Sequence, residues 1–160
     1  MARRWLFLSL MFVVGCNATH QRQAQFVAEE YAPYDKTGTT SIVGQAFLKT
    51  RAGDVKYGAG NTVVLNPATS HSAEWFDLHI IGGKALSPPD ERARKYQRLT
   101  VADGSGGFVF EGLPPGEYLL ACLITWEVPL GYGATQKTGG WAYARVKTEE
   151  GKQARAILSR

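Results

Sequence analysis

Beyond residue 40, apolar and polar positions fall into short runs divided by glycine, proline, asparagine and aspartate. Residues 42–48, 62–65, 98–102, 107–111, 118–126, 141–147 and 154–158 are rich in β-branched and aromatic side chains, the pattern of strands rather than helices. Arg51-Ala-Gly-Asp54 and Gly58-Ala-Gly-Asn61 supply turn residues between the first two runs. About seven strands at such short intervals predict a mainly β chain folded as one sandwich.

One stretch departs from this pattern. Residues 67–96 hold two helix-like pieces, one following Ser72 through Glu74, Trp75, Phe76, Leu78 and Ile80 to Gly82-Gly83, the other following Pro88-Pro89-Asp90. Ser72 is the expected cap of the first. A connection of about thirty residues is unusual unless it packs on the body or serves function. The run Tyr118 to Trp126 says where it packs. Tyr118, Leu120, Cys122, Ile124 and Trp126 share one face, Leu119, Ala121 and Leu123 the other. A strand with one wet face alternates apolar with polar, and this one is apolar on both. Trp75, Phe76 and Ile80 are therefore expected to cover its outer side.

The chain's start is of a different kind. Arg3 and Arg4 precede an apolar run, Trp5 to Val14, and then Gly15-Cys16: a cationic start, an apolar stretch and a small residue before a cut, as in a secretion signal. The run is shorter than the ~20 residues a membrane-spanning helix needs. Val13-Val14-Gly15-Cys16 resembles the lipobox of bacterial lipoproteins. That resemblance implies removal of residues 1–15, lipid attachment at Cys16, and a cell-envelope location. Asn17 in place of an aspartate favours the outer membrane, facing the periplasm. The polar residues 16–40 then read as a tether, with Phe26, Tyr31 and Tyr34 as docking points, and residues 41–160 as the folded domain.

Composition changes the picture in two places. Only two cysteines are present, and lipidation of Cys16 leaves Cys122, in an apolar strand, as a buried small residue. The formal charge of +4 falls to +2 once Arg3 and Arg4 are removed, with no clustered basic face to suggest nucleic acid.

The segment Thr100-Val-Ala-Asp-Gly-Ser-Gly-Gly-Phe-Val-Phe-Glu-Gly-Leu-Pro-Pro-Gly-Glu-Tyr-Leu-Leu-Ala121 resembles the carboxypeptidase regulatory-like domain, a transthyretin-like (prealbumin-like) sandwich. Ile42-Val-Gly-Gln-Ala46 and Gly58-Ala-Gly-Asn-Thr-Val-Val-Leu-Asn-Pro67 resemble that domain's first strand pair. The likeness implies a seven-stranded transthyretin-like or Ig-like sandwich with the 67–96 insertion added, and an accessory rather than a peptidase role. The residues that carry it serve shape. Asp103-Gly104 and Gly106-Gly107 suit a hairpin with positive φ, Phe108 and Phe110 point to one face, and Leu113-Pro-Pro-Gly116 makes a rigid turn.

Enzyme readings find little purchase. His71-Ser-Ala-Glu74 is a literal His-x-x-Glu with His79 beyond it, yet a zinc hydrolase needs a third ligand from a larger domain and an open coordination position. Gly104-Ser105-Gly106 lacks the Gly-x-Ser-x-Gly elbow. No cofactor, catalytic residue or metal ligand is assigned. Alternation along residues 141–147 places Trp141, Tyr143, Arg145 and Lys147 on one face, where rings and cations suit a sugar or peptide. The preceding Gly131-Tyr-Gly-Ala-Thr-Gln-Lys-Thr-Gly-Gly140 reads as a flexible loop bordering that face. The competing reading is an edge strand guarded by its cations, or rings packed beneath the insertion. The expected protein is a non-catalytic, membrane-anchored envelope lipoprotein acting as a structural or protein-interaction module, with carbohydrate or peptidoglycan binding as the alternative and a small zinc hydrolase as the remotest.

Overall fold

The computed structural model describes residues 19–160; the leader and Cys16 lie outside the described residues. Eight strands form two four-stranded sheets packed as a β-sandwich, with a short helical insertion. In the first sheet β1 (Thr40–Lys49) is central. It pairs antiparallel with β2 (Val55–Tyr57) and β5 (Gly107–Leu113), and parallel with β8 (Gln153–Leu158). The second sheet runs β4 (Arg98–Val101), β3 (Thr62–Pro67), β6 (Gly116–Gly131), β7 (Ala134–Thr148), all antiparallel. The seven expected strands are present, and β2 is the eighth. It has three residues, and Val55 and Tyr57 are both exposed, so no buried face marks it in the sequence.

The core lies between the sheets. Ile42, Leu48, Val63, Leu65, Leu120, Ile124 and Leu158 are buried there, with Phe108 and Phe110 packed edge to face at 6.0 Å. The turn at Asp103 is held by its own carboxylate. Oδ1 accepts from the backbone N–H groups of Ser105 and Gly107, each at 2.8 Å. Of the four turn residues expected to favour positive φ, only Gly106 adopts it, at 78°. Past the Pro114-Pro115 turn, the Tyr118 hydroxyl donates to the Pro114 carbonyl at 2.7 Å, tying the next strand to the turn that starts it.

The insertion does cover β6. Phe76 and Ile80 form a second apolar cluster with Leu119 and Ala121, joined by half-buried Trp75, Trp141 and Tyr143. Its helix α2 (Ser70–Trp75) continues as a π-helical turn, Phe76–Ile81. The cap is Thr69 rather than Ser72: the Thr69 hydroxyl accepts from the Ser72 N–H. Ser72 sits inside the helix, paired with the Tyr31 hydroxyl at 3.2 Å. A third helix, α3 (Glu91–Arg94), starts at Asp90, whose carboxylate accepts from the Arg92 N–H.

Two sequence expectations need correction. Among the described residues the expected tether is an arm laid along the insertion. His20 and Leu86 form a β-bridge, His20 N–H donating to Ala85 O at 2.8 Å. The Gln23 and Ala24 N–H groups donate to the two oxygens of Glu74, at 2.7 and 3.1 Å. A first helix, α1 (Ala28–Tyr31), ends in buried Tyr31, which stacks on Phe26 at 4.6 Å. Tyr34 meets Tyr118 edge on, so Phe26, Tyr31 and Tyr34 are the docking points expected. Backbone hydrogen bonds hold most of the rest, and these leave no hydrophobic period to read.

The second correction concerns residues 131–140, expected to be a flexible loop. β6 and β7 instead continue as one long hairpin that turns only at Tyr132-Gly133. Gly131, Tyr132 and Gly133 all have positive φ, 91°, 49° and 77°, the handedness a tight hairpin turn requires. Glycine content hides the strand: Gly139 pairs with Thr125 and Gly140 with Ile124, where a larger residue at 139 would meet the β6 backbone.

Candidate functional site

β7 is the outer strand of the second sheet, bridged at Tyr143 to Ser159 just past β8, and the face expected from alternation lies along it. Its rings, however, are engaged. Trp141 meets His79 edge on at 5.8 Å, and Tyr143 meets Phe76 at 5.6 Å. Arg145 lies 4.0 Å from Asp77 and 6.0 Å from the centre of the Phe76 ring. Lys147 is exposed, opposite Glu117. The face is thus assembled as its spacing implies, but the two aromatic plates support the insertion.

His71, Glu74 and His79 go separate ways. Glu74 holds the arm, His79 Nδ1 lies 2.8 Å from the Lys84 carbonyl, and His71 Nδ1 lies 2.8 Å from the Ala24 carbonyl. Among the described residues no three His, Cys, Asp or Glu side chains converge as a metal site.

A different place gathers polar groups. Where the arm, α2, α3 and the end of β3 meet, there is a cavity of ≈ 120 Å³. His71 and Trp75 are four apart on α2, so one face of a single turn presents both. Asn66 lies near the end of β3, one residue past the last pair of the β3–β4 ladder, Leu65 and Arg98, and Gln97 immediately precedes β4. Gln97 Nε2 donates to Asn66 Oδ1 at 3.5 Å. Arg22 enters from the arm, its Nε donating to the Ser87 carbonyl at 2.9 Å. Arg94 comes from α3 and makes no side-chain ion pair or hydrogen bond among the described residues. Trp75, Pro89 and Ala93 supply apolar wall.

The electrostatics of the cavity are lopsided. Burial lowers the Arg22 pKa, an effect opposed by the charge of Glu74. Asp90, beside the site, is held down to about 2 by the hydrogen bonds from Arg92. His71 is 4% exposed, and its Nε2 is the one buried side-chain polar atom without a partner among the described residues. A buried polar atom without a partner is rare and calls for one. Two larger depressions, ≈ 470 Å³ over β1 and β8 with Gly44, Ala154 and Ala156 in its lining and ≈ 190 Å³ beside Asp35, Lys95 and Tyr96, contain no such atom.

Spacing in the sequence points to His71 and Glu74 but to none of Arg22, Asn66, Arg94 or Gln97, which come from three separate stretches: the arm, β3 and residues 94–97. The apolar double face of β6 was the signal that placed the insertion. Nothing local announced the cavity on its other side.

No protein-family model matches the chain, and no curated protein matches it. A solved structure does. A crystal structure from Pseudomonas aeruginosa, described as a "putative carbohydrate binding protein", is similar to this chain with a TM-score of 0.75 and 26% sequence identity. The similarity covers 86% of this chain and 99% of that one. The sandwich is shared across nearly the whole length of the relative.

Proposed function

We propose that this protein is a non-catalytic glycan-binding sandwich, moored to the bacterial envelope by a lipid on Cys16. The observation that carries the glycan reading is the cavity beside Trp75. It sets an aromatic wall against the amides of Asn66 and Gln97 and the guanidiniums of Arg22 and Arg94. Rings take the apolar face of a sugar while amides and guanidiniums take its oxygens. The similarity to the Pseudomonas aeruginosa protein supports the same class. The cationic start, apolar run and Val13-Val14-Gly15-Cys16 support the anchor, and the likeness of residues 100–121 to the carboxypeptidase regulatory-like module supports an accessory role.

Glycan-array screening followed by calorimetry tests this reading. Arg94→Ala and Gln97→Ala are both exposed changes. They are expected to weaken binding while leaving the melting temperature unchanged. Full retention of glycan binding by both variants would remove the cavity from the proposal. Retention of membrane association and acylation by Cys16→Ser would remove the anchor.

A second reading, a protein-interaction module, is favoured by the hairpin. Leu130 is 61% exposed and Tyr132 fully exposed at its tip, an apolar end on a projecting two-stranded arm. Crosslinking in intact cells with and without residues 128–136 distinguishes the two: a partner lost on truncation supports interaction through the tip.

A further inference from the structure

We infer that the cavity takes an acidic sugar, its carboxylate or sulfate group set against Arg22 and Arg94, an inference that rests on the glycan-binding reading and names its ligand class. The argument is one of charge. Arg22 and Arg94 line the cavity, and among the described residues no aspartate or glutamate does. Two neighbouring carboxylates are engaged by groups outside the lining. Glu74 accepts from the Gln23 and Ala24 N–H groups. Asp90 is held by the Arg92 guanidinium through both oxygens, at 3.0 and 2.8 Å.

The two lining guanidiniums meet only neutral acceptors or none. Arg22 donates Nε to the Ser87 carbonyl at 2.9 Å and Nη1 to the His71 carbonyl at 3.4 Å. Its Nη2, like the whole Arg94 side chain, has no acceptor among the described residues. Burial disfavours the Arg22 charge more than Glu74 restores it, and a bound anion relieves that imbalance.

A guanidinium only donates, so the ligand must accept. A sugar hydroxyl can accept but brings no charge. A carboxylate or sulfate answers donors and charge together, through the paired N–H···O bonds that the planar fork favours. A bare anion would leave Trp75, Pro89 and Ala93 facing water, whereas a sugar ring lays its apolar face on them. At ≈ 120 Å³ the cavity is smaller than the ~300 Å³ at which pockets enclose a small ligand. It therefore holds the charged substituent and leaves the ring at the mouth, beside exposed Arg94 and Gln97.

The test offers the purified full chain two matched pairs: tetragalacturonate with its methyl ester, and sulfated with unsulfated cellotetraose. Each pair differs in charge alone, and the pairs separate carboxylate from sulfate. Calorimetry is expected to show at least about tenfold tighter binding of an acidic member than of its neutral partner, the difference between a charged and a neutral hydrogen bond. Arg94→Gln is expected to shrink that gap several-fold at an unchanged melting temperature, and Arg94→Lys to retain part of it. Lys137→Gln, on the distant hairpin, is expected to leave it intact. Equal affinities within both pairs, or a gap untouched by Arg94→Gln, overturns this inference and leaves the glycan reading standing. Tetraglutamate bound as tightly as the acidic sugars also overturns it, because charge alone would then be the criterion. Silence toward all four sugars while a neutral glycan binds on the array overturns this inference alone, and absence of binding to any glycan overturns both.

Discussion

Glu74 grips the arm from the insertion: its two carboxylate oxygens accept the successive backbone N–H groups of Gln23 and Ala24, fifty-one and fifty residues away in sequence. This clasp fixes Arg22 beside Ser87 and presents the Ala24 carbonyl to His71. One side chain therefore determines both where the arm lies and which nitrogen of His71 is left unpaired.

Removing the clasp should free the arm without unfolding the sandwich. Glu74→Ala is expected to cost about 1–2 kcal/mol, less than a fully buried charged hydrogen bond because water reaches the freed donors. Proteolysis near residues 19–27 should quicken while hydrogen exchange in β6 stays slow. Unchanged cleavage of the arm would show that the aromatic contacts of Phe26 and Tyr31 suffice.

The same contact makes the arm sensitive to acid. Desolvation raises the Glu74 pKa, but the Gln23 and Ala24 N–H groups and the charge of Arg22 together outweigh it, so the carboxyl titrates below its ordinary value. A carboxylate with a depressed folded pKa stabilises the folded state above its unfolded pKa, and that contribution disappears as pH falls through the folded one. Arm release, followed by proteolysis, is expected to set in below the ordinary glutamate range and to be absent at neutral pH. Release centred above that range would contradict the clasp.

Phe76 is the main support of the insertion, buried against Leu119 and Ala121 and edge on to Tyr143. Phe76→Ala is expected to cost about 3 kcal/mol, at the lower end for a buried phenylalanine because the cluster is small. Trp75→Ala, half-buried, should cost less. Urea unfolding of both variants checks the order, and a larger loss for Trp75→Ala would reverse the assignment of the main prop.

Burial pushes the Cys122 thiol up to about 11. The native protein is expected to leave a thiol reagent unreacted at pH 8 and to react fully in denaturant. The unfolded thiol ionises at lower pH than the folded one. Stability should therefore decline as pH rises from the ordinary thiol range toward the folded value. Rapid native labelling would place Cys122 outside the core.

Gly139 adopts φ of 137°, and a Cβ there would press on the Ile124 carbonyl and the Thr125 backbone. Gly139→Ala is expected to destabilise by about 2 kcal/mol, from left-handed strain and the displaced ladder together. An unchanged urea midpoint would show that β7 begins beyond this position.

The apolar runs of the sandwich strands and the turn chemistry at Asp103 and Pro114-Pro115 declare themselves in the sequence because each is a local matter of alternation or backbone freedom. The doubly apolar Tyr118–Trp126 run even names its cover, since a buried outer face needs apolar partners and the insertion holds the spare ones. β2 and the start of β7 escape for the opposite reason: a three-residue strand with Val55 and Tyr57 exposed and a glycine-rich ladder bury too little to leave a pattern.

What the chain alone determined, then, is the layered β body, the helical insertion over β6, and the alternation that lines up Trp141, Tyr143, Arg145 and Lys147. Tertiary structure decided what those side chains do. It turned the rings of Trp141 and Tyr143 under the helix, parted His71 from Glu74 and His79, and closed a cavity from Arg22, Asn66, Arg94 and Gln97. Periodicity records which way a residue faces within its own element. A cavity exists only where several elements meet, and the arm reaches His71 through the backbone carbonyl of Ala24, a contact that no side-chain pattern encodes.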